Sequence, residues 1–272
     1  MFSLPKTSLA FALLQAARID AAVFAGQSLA DGLLDRVDPA VRPAVQDLVY
    51  GSLRAYGYGD FLLAQLLAKP LDLPEVRALL LVALYRLEKW PEAAHTVVDQ
   101  AVVAAGEIAG GRFRGLVNGV LRNFLRQQSP LLAAAQDDTV ASARHPDWWL
   151  RRLQAAYPTD WTDIVAAGNG PPPMALRVNC RRGNRDEYLL RLQAEDIGAR
   201  PIGEAGLALA RPLPVDRLPG FAAGLVSVQD PGAQMAALLL DPTPGSRVLD
   251  ACAAPGGKSA HILETADVAL TA

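Results

Sequence analysis

Val248-Leu249-Asp250-Ala251-Cys252-Ala253-Ala254-Pro255-Gly256-Gly257-Lys258-Ser259 decides how the chain is read. An apolar strand runs into a small-residue turn with paired glycines, and the amphipathic stretch His261-Ile262-Leu263-Glu264 follows. In that geometry a nucleotide-like ligand sits at the carboxyl edge of a parallel sheet, against a helix N-terminus. The plainer reading is an ordinary strand-to-helix connection whose small residues allow tight packing. Against it, Asp250 ends the strand, Pro255 fixes the turn, and Gly256-Gly257 bares backbone N–H groups to a ligand. A phosphate-binding P-loop shares Gly257-Lys258-Ser259 but needs glycine where Cys252 stands, and the dinucleotide pattern G-x-G-x-x-G is absent. A ligand with a ribose and a carboxylate, such as S-adenosylmethionine, is the best physical fit.

Working outward, Asp267-Val268-Ala269-Leu270-Thr271-Ala272 reads as a second strand. Two strands and one helix cannot cover both faces of a parallel sheet, so residues 246 to 272 are expected to be marginally ordered in isolation. Upstream, Asp230-Pro231 opens an apolar helix through Met235, Ala236, Leu238 and Leu239. Before it, alternation at Met174, Leu176 and Val178, a helix from about Asn184 to Ile197, and short strands at Leu207 to Ala210 and Leu225 to Val228 make a small α+β module. The Asn169-Gly170-Pro171-Pro172-Pro173 break precedes it.

The first 140 or so residues read as helix after helix. Leu9 to Ala25 is one, and Val41 to Leu53 another. Asp60 is expected to cap a helix to Leu67, Leu73-Pro74 opens one through Leu87, and Thr96 is expected to cap one through Ile108. Phe113, Leu116, Val117, Val120, Leu121, Phe124 and Leu125 then form a core-facing stripe. Opposite it stand Arg114, Asn118, Arg122 and Arg126, and no acidic residue occurs from Ile108 to Gln136. A short helix starts at Asp147-Trp148-Trp149, whose adjacent tryptophans are read as packing between domains rather than stacking on bases.

Composition narrows the class. With 272 residues, 51% of them hydrophobic and 20% charged, the chain holds one large or two ordinary packed domains. A net charge of -2 gives no whole-protein attraction to nucleic acid, so any basic surface is local. Cys180 and Cys252 make no disulfide framework, and with His95, His145 and His261 scattered no metal site is expected. No apolar run reaches the roughly 20 residues that cross a bilayer. The helical spacing of Leu9, Leu13, Ala16 and Ala17 continues past any signal-peptide cleavage site, so a cytoplasmic location is expected.

Asp250-Ala251-Cys252-Ala253-Ala254-Pro255-Gly256-Gly257-Lys258 resembles the cofactor motif of the Sun-type (RsmB-like) RNA cytosine-C5 methyltransferases. Val228-Gln229-Asp230 resembles the segment preceding that motif. Leu176-Arg177-Val178-Asn179 resembles the start of the family's small RNA-binding module, and Gly115-Leu116-Val117-Asn118-Gly119-Val120-Leu121-Arg122 is similar to the closing helix of a NusB-like domain. The resemblance implies an all-α NusB-like domain over 1–140, a linker and α+β RNA-binding module over 141–229, and the incomplete beginning of a Rossmann-like α/β methyltransferase domain over 230–272. It implies S-adenosylmethionine as cofactor, held by Cys252, Ala253, Ala254, Pro255, Gly256, Gly257 and Lys258, and a cytosine of 16S ribosomal RNA as substrate.

The implied chemistry uses a cysteine thiolate that adds to C6 of the base and makes C5 able to take the methyl group, while a second cysteine assists release. Those cysteines stand in Pro-Cys and Thr-Cys contexts downstream of the cofactor turn in the family. Neither Cys180, read as a half-buried strand-end residue, nor Cys252 matches, so no catalytic residue is assigned in this chain. The family's ribose-binding acid follows a second strand; Asp267 lies too early and is read as a turn residue. RNA contact is expected at Arg114, Arg122 and Arg126, against the alternative of a solvated helix face. It is also expected at Arg177, Asn179, Arg181 and Arg182, where Arg185 adds to the cluster. If both patches touch phosphates, neutralising either flattens the salt dependence of RNA binding, and an unchanged slope would sink the idea.

The expected protein is thus a monomeric N-terminal piece of a 16S rRNA cytosine-C5 methyltransferase, inactive by itself. The competing reading is a non-catalytic NusB-like RNA-binding protein of transcription or ribosome assembly, with a vestigial cofactor turn. Downstream coding sequence separates the two: Pro-Cys and Thr-Cys motifs support the enzyme, and a true stop supports the binding protein.

Overall fold

The computed structural model describes residues 4–272, in two units that part between Gly170 and Pro171. The first unit is all helical: α1 (Leu9–Phe24), α2 (Arg42–Arg54), α3 (Tyr56–Leu66), α4 (Pro74–Lys89), α5 (Ala94–Ala105), α6 (Arg114–Arg126), α7 (Gln128–Asp137), α8 (Thr139–Ala143), α9 (Asp147–Ala156) and α10 (Trp161–Asn169). α4 is its axis. Pro74 at the first helical turn starts it, and Val76, every residue from Ala78 to Leu84, and Leu87 are buried. A helix apolar on all sides must be surrounded, and α1, α2 and α5 do so. α1 starts where the Ser8 hydroxyl accepts the Phe11 amide at 3.2 Å. α6 buries Val117, Val120, Leu121 and Phe124 from the expected stripe, while Leu116 lies exposed at its edge.

Several expected boundaries move. Asp60 caps nothing: α3 begins four residues earlier, and Asp60 lies inside it, paired with Arg77 of α4. Thr96 likewise falls within the first turn of α5, which starts at Ala94 without a side-chain cap. Helices continue past the end of the expected all-α domain, to Asn169. α8, α9 and α10 share a small core of Ala143, Leu150 and Val165, with Trp149 and Trp161 packed against it. Trp149 also stacks on His145 with ring centroids 4.5 Å apart, so its packing is within the helical unit. Trp148 does not pack and is 61% exposed.

The second unit contains an antiparallel sheet of β1 (Ala175–Val178), β2 (Ala199–Ile202), β3 (Gly206–Leu209) and β4 (Val226–Val228), in the order β2-β3-β1-β4. α11 (Arg185–Ala194) starts at Asn184, whose side chain accepts the Glu187 amide. Leu176 and Val178 of β1 join Tyr188 and Leu192 of α11 in one apolar core. Side chains alternate along a strand, so Ala175 and Arg177 belong to the other face, yet all four residues of β1 are buried. That other face receives α12 (Pro231–Leu240), begun by the Asp230 carboxylate accepting the Gly232 and Ala233 amides, and α13 (Gly257–Thr265), which packs on α12.

β5 (Arg247–Leu249) and β6 (Ala269–Thr271) pair in parallel, with Val248 opposite Leu270. The strand-turn-helix-strand order read from the sequence is present. This is a two-stranded parallel pair, separate from the four-stranded sheet. Its strands stay largely exposed, Leu249 at 72%, and Leu239 of α12 is 78% exposed. Ser259, His261 and Ile262 of α13 are buried. Burial thus divides residues 246 to 272 into an anchored helix and a scarcely covered pair of strands.

Candidate cofactor turn and RNA-facing surface

Asp250 leaves β5 with its amide still paired to the Thr271 carbonyl at 2.8 Å. Its carboxylate then ties the turn together. One oxygen accepts the Cys252 amide at 3.0 Å, and the other accepts the Ser259 hydroxyl at 2.7 Å. The Ser259 hydroxyl, followed by the Cys252 amide and the Lys258 charge, holds the Asp250 carboxyl below the usual carboxylate range. The turn therefore carries a fixed negative group that is already committed to shaping it.

The Ala254–Pro255 peptide is cis, and the Gly256 amide returns to the Ala253 carbonyl. Gly256 adopts φ +105°, a left-handed conformation that glycine alone enters without steric cost. α13 starts there with no side chain capping it, and its first internal bond is Ala260 N–H to the Gly256 carbonyl at 2.8 Å. The amides of Gly257, Lys258 and Ser259 precede any intrahelical acceptor, so they form the donor-rich, positively polarised end of the helix. Lys258 adds a cation beside them. Cys252, Ala253, Ala254, Pro255, Gly256, Gly257 and Lys258 are thus one continuous loop over a helix N-terminus after a parallel strand. Donors presented that way suit an anionic group such as an amino-acid carboxylate.

Behind the turn lies a polar cluster that sequence reading missed. Arg177, expected to touch RNA, is completely buried and has no surface to offer. Its guanidinium donates to both oxygens of Glu264, at 3.0 and 2.8 Å, to the Gly257 carbonyl at 2.9 Å and to Gln229 Oε1. His261 is buried nearby, and burial, followed by the Arg177 charge, pushes its imidazole below the ordinary histidine value. The signal available was a charged residue at a strand position between Leu176 and Val178, both strongly apolar. Sequence reading took the charge for surface.

The other expected RNA contacts are placed differently. Arg181 and Arg182 are exposed in the turn after β1. Arg182 donates to the Ala223 carbonyl at 2.6 Å, and Asn179 uses its amide on the Gly224 carbonyl at 3.2 Å. Cys180, in the same turn, is exposed rather than half-buried; what burial it has, with the Glu264 charge, pushes its thiol up and makes it a poor nucleophile. On the helical unit Arg114, Arg122 and Arg126 are all exposed along α6. Arg122 is steadied by Asn118 at 2.9 Å and Arg126 by Asn123 at 2.7 Å. A groove of about 420 Å³ between α5 and α6 is lined by His95, Asp99, Asn118, Arg122 and Arg126 among others. No cluster suited to a metal ion occurs among the described residues, and no described helix is long and apolar enough to cross a membrane.

Known proteins match this arrangement segment by segment. Residues 7–126 match the NusB family, residues 145–216 the ferredoxin-like domain of RsmF/B-like methyltransferases, and residues 237–271 the 16S rRNA methyltransferase RsmB/F family. Ribosomal RNA small subunit methyltransferase B of Pseudomonas putida is 45% identical over 259 residues, covering 92% of this chain and 59% of that protein. Its namesake in Serratia proteamaculans is 41% identical over 248 residues, covering 89% of this chain and 58% of that protein. The chain therefore spans less than two thirds of the length of these relatives. The crystal structure of PH0851 shares the fold over 97% of this chain and 62% of its own, with a TM-score of 0.67 at 18% identity.

Proposed function

We propose that this chain, whose segments match the NusB family, the RsmF/B ferredoxin-like domain and the 16S rRNA methyltransferase RsmB/F family, is the RNA-binding and cofactor-loading part of an S-adenosylmethionine-dependent enzyme that methylates C5 of a cytosine in 16S ribosomal RNA. The observation that carries the cofactor half is the start of α13. A left-handed Gly256 opens three backbone donors beside Lys258, directly after a parallel strand whose terminal acid ties the turn. Cys252 to Lys258 would hold the cofactor, whose contribution is an electrophilic methyl group. The α13 amides and Lys258 would meet its carboxylate, while Asp250 keeps the loop in shape.

On the RNA side, Arg181 and Arg182 at the β1 turn and Arg114, Arg122 and Arg126 on α6 offer cations to phosphates, with Asn179 shaping the β1 turn. Arg177 drops out of that set. Neither cysteine here stands in a Pro-Cys or Thr-Cys context, so neither is assigned the nucleophile's role. The protein is expected to act in the cytoplasm, where ribosomal RNA is matured.

Titration calorimetry of S-adenosylmethionine into the chain tests the reading. Binding is expected, and Gly256→Ala should weaken it about tenfold, because forcing an L-residue into the left-handed region costs about 1–2 kcal/mol. No binding at millimolar cofactor, or equal binding by the variant, overturns the assignment of the turn. Incubated with 16S rRNA and labelled cofactor, the chain alone should transfer no methyl group.

A further inference from the structure

Among the described residues Arg177 is the largest fully buried side chain, and the proposed function gives it no role. It stands on β1, the strand between β3 and β4, on the face away from α11. Three of its four hydrogen bonds reach across to α13, and the fourth goes to Gln229, which follows β4 in its own sheet. Nε and one Nη grip the Glu264 carboxylate as a fork, and the other Nη bonds the Gly257 carbonyl and Gln229. Gly257 is the first residue of α13, and Glu264 is the last but one. A single planar guanidinium therefore holds a nine-residue helix at both ends, fixing its axial position and its rotation on the sheet. Just past β1, Arg181 adds a bond from Nε to the Glu264 carbonyl at 3.4 Å.

The turn inherits that placement. Ser259, in the first turn of α13, donates to Asp250, and Asp250 in turn holds the Cys252 amide. From β1 to the loop the path is Arg177, α13, Ser259, Asp250, Cys252, each link a hydrogen bond or a rigid helix. Packing alone would be served by an apolar residue, since a buried ion pair is seldom more stabilising than the hydrophobic side chains that could replace it. What the fork adds is direction.

We propose that Arg177 is the positioning residue of the cofactor turn, aligning the donor end of α13 with the sheet that carries the RNA-facing turn at residues 179–182. This rests on the reading of residues 252–258 as the cofactor turn. Arg177 touches no substrate in this role; it acts through α13.

Amide hydrogen exchange on the whole chain tests it. In the wild-type chain the amides from Ala260 to Glu264 should be protected. Arg177→Met should speed their exchange, with that of Cys252 and Gly256, about tenfold or more, while the β2–β3 hairpin (Ala199–Leu209) changes less than about twofold. No wild-type protection in α13, no change on substitution, or an equal rise in the hairpin overturns the proposal. Should Arg177→Met fail to fold, Glu264→Gln decides. It keeps one acceptor oxygen and should give the same selective rise, about threefold; a uniform rise or none refutes it. A parallel titration with S-adenosylmethionine should show affinity about tenfold weaker in Arg177→Met and partly recovered in Arg177→Lys, which keeps the charge without the fork. Leu192→Ala, which loosens the sheet core on its other side, should leave affinity unchanged. If the wild-type chain takes up no cofactor, the functional reading falls, and the exchange pattern alone judges Arg177.

Discussion

Asp20→Asn should make the protein more stable at pH 8, by about 3–5 kcal/mol, and leave it nearly unchanged at pH 4. Asp20 lies on α1 with no exposed surface, and one of its carboxyl oxygens has no partner. The other is 2.6 Å from the Ser52 hydroxyl, which is also 2.8 Å from the Leu48 carbonyl and 3.1 Å from that of Val49. One hydroxyl proton cannot serve three acceptors. A protonated Asp20 that donates to Ser52, with Ser52 donating to Leu48, gives each of these protons one acceptor. Burial, offset only partly by Ser52, pushes the Asp20 carboxyl up to about 8.

In the unfolded chain the same carboxyl ionises near 4. Between those values the folded state binds the extra proton, so stability is complete below about pH 4 and declines as pH rises towards 8, by about 1.4 kcal/mol per unit for one proton. Asparagine presents the same donor to Ser52 and does not titrate. Urea unfolding of both proteins from pH 4 to pH 9 checks this. A difference that does not vary with pH would show that Asp20 is ionised in the fold.

Gly51→Ala should cost about 2–3 kcal/mol, although alanine is the better helix former by about 1 kcal/mol. Gly51 lies inside α2, and a Cβ there would sit 1.9 Å from Cζ of Tyr85 on α4. The Tyr85 ring has little freedom to retreat. It meets Trp90 edge-on at 6.3 Å between centroids, and Trp90 in turn lies beneath the Arg86 guanidinium at 3.4 Å. With Tyr85→Ala as the second change, the alanine at 51 should become harmless, so the double variant is expected to be less destabilised than the sum of the singles by about 2 kcal/mol. Urea unfolding followed by tryptophan fluorescence reports on this helical unit, because all four tryptophans lie in it. Additive costs would mean that Tyr85 swings clear.

The parts of the fold that could be read from the sequence are those specified locally. Pro74 and the apolar run after it marked α4, and the stripe from Phe113 to Leu125 marked α6, because helix period and cap are short-range properties. Asp60 and Thr96 misled because a capping residue looks alike inside a helix and at its start; the partner that claims Asp60, Arg77, lies on another helix. β2 went unseen because Pro201 argues against a strand, but β2 is the edge of the sheet, where a missing N–H is tolerated. Around the proposed cofactor turn, the order of strand, turn and helix was legible in the run from Val248 to Ser259. Arg177 was not, since its burial depends on Glu264, 87 residues away.

That separation also orders events in time. In the helical unit α5 packs on its chain neighbours α4 and α6 and α1 reaches across to α4, whereas the Arg177–Glu264 pair closes an 87-residue stretch of chain on itself. Long-range pairings bear their loop-closure entropy before any contact rewards it, so they form late. The proposed cofactor turn, tied to that pair through α13, is therefore expected to take its shape after the sheet beneath it has assembled.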